Sequence, residues 1–184
     1  MTATMSTGLH LTRRARNALL TVHIAASVAL LGDVLGLTAI ALSARGAEPA
    51  AAHAGYETMS MFSLMFGIPL SFVSLVTGIV LGVGTRWGVL KHWWVTAKLV
   101  ALIAVMAVGA LVVGPAEGRL IDAPLGTGSA TDEWIIVGGA LGQATLLIGA
   151  TALSVYKPGG RRGAARRAGH TPTIRDDDAV LATR

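Results

Sequence analysis

Four continuous apolar runs, at about residues 17–43, 57–84, 93–114 and 134–156, limit what this chain can fold into more than any other feature. A helix crosses the hydrocarbon core of a bilayer with roughly 20 apolar residues. The runs do not alternate polar with apolar positions, so they predict helices and not the strands of a membrane barrel. Hydrophobic residues make up 53% of the chain and charged ones 14%. That leaves too little polar surface for a domain that faces water on all sides, where about a quarter of residues are charged. The expected fold is all-α: one four-transmembrane-helix bundle over 17–156, after a short segment 1–16 and before a basic tail 157–184.

Arginine and lysine set the direction of the spans, because they stay on the cytoplasmic side. Arg13, Arg14 and Arg16 precede the first run, Arg86 and Lys91 lie between the second and third, and Lys157, Arg161, Arg162, Arg166 and Arg167 follow the fourth. The other two connections hold Arg45 and Arg119 among five carboxylates, Glu48, Glu117, Asp122, Asp132 and Glu133. Both termini are therefore expected in the cytoplasm. The net charge of +5 serves this orientation, so nucleic acid is not an expected partner. "RRAR" before the first run resembles the start of a signal peptide. The run is about twice as long as such a core and contains His23 and Asp33, which predicts a retained helix. The tail "PGGRRGAARRAGHTPTIRDDD" cannot bury a core and reads as disordered, with anionic lipid as a second role.

Glycines four apart mark three spans: Gly32 with Gly36, Gly78 with Gly82, and Gly138 with Gly142. Such pairs let helix backbones approach, so they predict packing faces, with a homo-oligomer through glycine faces as the lesser use. Pro69, in mid-span, predicts a kink.

Polar side chains inside a span need a reason, because a charge at the helix centre costs about 2.5–3.5 kcal/mol on insertion scales. Lys98 lies five residues past Trp93 and can return its ammonium to the interface. His23 sits at a similar depth on the first span, with Ala26 and Ser27 leaving room on its face. An imidazole there reads either as a ligand to haem iron or as a hydrogen-bonded residue of the bundle. Asp33 is too deep to reach water, and Gln143 lies at the same level, so the amide is a candidate partner for the carboxyl. Proton or ion handling is the alternative for Asp33. At the other surface, His53, Met59, Met61 and Met65 gather imidazole and thioether groups that suit Cu(I). The chain has no cysteine, which excludes disulfides and thiolate sites. No phosphate-binding loop, carboxylate dyad or nucleophile triad is visible.

The first span with its histidine, "GIPLSFVSLVTGIVLGVGTRWG" and "HWWVTAKL" resemble a family of uncharacterised bacterial integral membrane proteins. More remotely, they are similar to copper-resistance D-type membrane proteins and to the haem-containing bacterial protoporphyrinogen oxidases. That resemblance implies a bacterial inner-membrane location and a haem b site using His23 and Lys98. The oxidases carry a histidine two residues before the lysine, where this chain has Thr96, and an arginine late in the first helix, where it has "VLGLTAIAL". The resemblance therefore implies haem binding more than it implies an enzyme, and an oxidoreductase role depends on the haem.

Overall fold

The computed structural model describes residues 12–83 and 93–156. Within them the chain forms four long helices, α1 (Arg13–Ala44), α2 (Pro49–Val83), α3 (Trp93–Asp122) and α4 (Ala130–Tyr156), each long and apolar enough to cross a membrane. No strand occurs among the described residues. The expected tail and the Arg86–Lys91 connection lie outside them.

Two helices outrun the apolar spans read from the sequence by eight residues each, α2 at its start and α3 at its end. α2 starts at Pro49, where proline suits the first turn because its missing N–H has no helical partner there. α3 continues past Gly114 to Asp122, since Pro115 again falls in the first turn of the added segment. The far connections thus shrink to short turns, 45–48 and 123–129. Gly46 and Gly126 supply the left-handed backbone these turns need, at φ +88° and +80°. At the other end, the Thr12 side chain caps α1 by accepting from the Ala15 N–H at 3.3 Å.

The kink predicted at Pro69 takes a definite form, and it occurs twice. α2 widens into a π-helical turn at Ser63–Gly67, and α3 does so at Gly109–Val113. Each turn ends two residues before a proline, Pro69 or Pro115. A proline ring collides with the carbonyl four residues earlier and offers it no N–H. One extra residue in the preceding turn relieves that collision, and the Ile68 and Gly114 N–H groups bond five residues back to Ser63 and Gly109.

Among the described residues the helices form a closed ring in chain order, with α1 against α2 and α4, and α3 against α2 and α4; the backbones of the diagonal pairs stay apart. One buried cluster fills the end with the short turns, hereafter the far end, and includes Ala41, Tyr56, Met59, Ala116 and Ile136. A second, of Leu30, Val34, Val105, Ala144 and Leu147, fills the middle. Large apolar side chains such as Phe72, Val76, Ile103, Leu111 and Ile148 point outward. An apolar exterior of this extent belongs against lipid. The chain is a multi-pass membrane protein.

The glycine pairs need a correction. A methyl group added at Gly32, Gly36, Gly138 or Gly142 would meet nothing within 4 Å, so these faces of α1 and α4 do not pack within the bundle. The close approaches fall at Gly55, Gly67, Gly78, Gly109 and Gly139. Four-residue spacing puts two glycines on one face, but it does not say which face turns inward.

Candidate functional site

The α1–α2 seam is polar. On α2, Gly67, Ser71, Ser74 and Gly78 recur at spacings of four, three and four, which puts them on one face. Ser71, Ser74 and neighbouring Thr77 are all buried. The helices run antiparallel, so His23 of α1 meets Gly78, Ser27 meets Ser74 and Asp33 meets Gly67.

His23 packs so closely on Gly78 that an added methyl would lie 3.1 Å from its Cε1. Its Nδ1 is 3.1 Å from the Ser74 carbonyl oxygen and 3.0 Å from Thr77 Oγ1. The Thr77 hydroxyl donates to the Val73 carbonyl at 2.6 Å, so towards His23 it can only accept. A carbonyl also only accepts. Nδ1 therefore carries the hydrogen, and in the neutral ring the lone pair lies on Nε2. Ser27 donates to the His23 carbonyl at 2.8 Å and its oxygen lies 2.9 Å from Ser74 Oγ, which ties the same two turns together. Serine and threonine are ordinary in membrane helices, so nothing in the sequence marked Ser74 and Thr77 as partners of His23. Their three-residue spacing beside Gly78 was the available signal.

Lys98 lies on α3, at the same end of the bundle. Its ammonium donates to Ser154 Oγ on α4 and sits 4.9 Å from the centre of the Trp94 ring. The structure thus keeps the two at one end of the bundle while anchoring them to different helix pairs, His23 to α2 and Lys98 to α4.

Asp33 and Gln143 do not pair. The Gln143 amide donates to the Val105 carbonyl at 2.9 Å and packs against Gly109, at the start of the α3 π turn. Asp33 turns the other way, towards Gly67 at the end of the α2 π turn, and its Oδ2 is buried with no hydrogen-bond partner. Equal depth on adjacent helices put the two at one level, but each follows the nearest widened turn.

The His53 and Met group is also spread out. Met59 is 1% exposed in the core, whereas Met61 and Met65 are 49% and 60% exposed on the outside. His53 lies 3.5 Å from Glu57. No group of three or more His, Cys, Asp or Glu among the described residues is placed to hold a metal ion.

The far end has features that the sequence did not flag. A cavity of about 440 Å³ lies under the turn 123–129, lined in part by Arg45, His53, Tyr56 and Glu133. Arg45 stacks 3.5 Å over the Trp134 ring and lies 3.6 Å from Glu133. Arg119 Nε donates to buried Asp132 at 3.0 Å, joining α3 to α4. Glu117, 4% exposed, keeps Oε1 without a partner.

No family model, curated protein or solved structure matches the chain.

Proposed function

We propose that this is a membrane-embedded haem protein, in which His23 would hold the iron and the end bearing His23 and Lys98 faces the cytoplasm of a bacterial cell. One observation carries the reading: Nδ1–H is held by the Ser74 carbonyl and Thr77 hydroxyl, which leaves Nε2 as the donor. A metal-ligating histidine is normally fixed by such a hydrogen bond from its other nitrogen, which sets the tautomer and the ring orientation. His23 would hold the iron through Nε2, and Lys98 would offer a cation to a haem propionate. Haem would supply one-electron chemistry, and His23 would hold it. The orientation rests on the lysine and arginine distribution.

Protein purified from haem-replete cells tests the reading. It should show a Soret band that moves on reduction, and His23→Ala should abolish it. Lys98→Met should lower haem retention while leaving the protein inserted. Folded, colourless protein that does not respond to added haemin sinks the proposal.

A further inference from the structure

Asp33 is the one ionisable group in the middle of the bundle that the haem reading does not use. It lies eleven residues before the far end of α1, about 16 Å along the helix. Its Oδ2 faces Gly67, where even a methyl group would come within 3.1 Å, and it has neither a hydrogen-bond partner nor room for water. Oδ1 is not sealed in this way.

Among the described residues no counter-charge faces it. The backbone of α1 lies against α2 and α4, and α3, whose Val105 shares a buried cluster with Leu30 and Val34, has no ionisable side chain between Lys98 and Glu117. α2 has no ionisable side chain from Met59 to Val83, and α4 has none from Ile135 to Val155, where Gln143 is already committed to Val105. Along the chain the nearest such group towards one end of α1 is His23, and towards the other it is Arg45, just past the helix. Asp33 takes part in none of the ion pairs among the described residues. A carboxylate oxygen with no donor and no counter-ion is costly in a low-dielectric interior. A metal cation would need several ligands around it, and no group of three or more His, Cys, Asp or Glu gathers at Asp33 among the described residues. A proton needs no such group.

We propose that Asp33 is a proton-binding site in the membrane interior, shaped by the π turn at Ser63–Gly67. The carboxylate takes up one proton on Oδ1 to give the neutral acid, and Oδ2 is the carbonyl oxygen packed on Gly67. The reaction is proton binding alone and needs no redox partner. It does not depend on haem at His23.

Infrared spectroscopy of the full chain in lipid nanodiscs at neutral pH tests this directly. The native protein should show a protonated-carboxyl band that shifts in D2O, and Asp33→Asn should lose the intensity of one group. The variant should insert and melt like the native protein, because the amide is a neutral mimic of the acid. Equal carboxyl bands in native and variant protein would overturn the proposal. If Asp33→Asn does not fold, carboxyl-labelled aspartate in the native chain reads the same signal, and absence of a labelled acid band overturns it equally. The band is independent of the Soret absorbance, so this proposal and the haem reading can fail separately.

Discussion

At the scale of single residues, what decides each outcome is the space opposite a side chain. Gly138 and Gly139 are neighbours in α4 with opposite surroundings. A methyl at Gly138 meets nothing, whereas one at Gly139 would run into Val113. Gly138→Ala should therefore raise stability by about 0.4–1 kcal/mol through lower chain entropy. Gly139→Ala should lower it by about 1–3 kcal/mol through overpacking. Denaturation of the two variants in detergent reads the contrast directly. At the His23 site, Thr77→Val removes one of the two acceptors for Nδ1–H and keeps the Ser74 carbonyl. On the haem reading it should weaken haem retention by roughly 10-fold, the lower end of what loss of a supporting hydrogen bond costs a metal site. Unchanged retention in haem titrations would mean that Thr77 does not orient the ligand.

The next scale is the helix, where the two widened turns set the register. The turn in α2 precedes Ser71, Ser74, Thr77 and Gly78, so the extra residue determines which side chains reach α1. The chain has no native cysteine, which makes cross-linking a clean probe. Ser27 and Ser74 have hydroxyl oxygens 2.9 Å apart, so a Ser27→Cys, Ser74→Cys double variant should form a disulfide under mild oxidation. Ser27→Cys with Ser71→Cys should not, because Ser71 lies most of a turn away. Adding Pro69→Ala restores an N–H for the Met65 carbonyl and removes the steric reason for the wide turn. Cross-linking of the first pair should then fall. Full cross-linking in that background would show that packing, not proline, holds the turn open.

For the whole molecule, the charge distribution predicts direction and the ring predicts neighbours. Reporter fusions at Ala50 and after Lys157 should report opposite sides of the membrane, and the same side for both would break the four-span arrangement. The outward glycines of α1 and α4 leave room for a second copy in the bilayer. If a homo-oligomer uses them, Gly36→Ile should reduce the mass of the detergent-solubilised particle without unfolding the bundle.

The apolar runs alone determined that this chain forms four membrane-length helices. A backbone in hydrocarbon must satisfy its own hydrogen bonds, and each run is long enough to cross. The sequence also identified the polar residues that need explaining, and the proline that distorts α2. It did not determine which way those residues turn. Equal depth made Asp33 and Gln143 look like partners, yet rotation about the helix axes sends one to Gly67 and the other to Val105. Glycine spacing showed shared faces, and only the assembled bundle showed that two of them point outward. The His23 tautomer, too, depends on a carbonyl and a hydroxyl some fifty residues away. Depth is a one-dimensional property that a sequence can carry. Facing is settled by how the helices rotate to bury their seams, which requires all four at once.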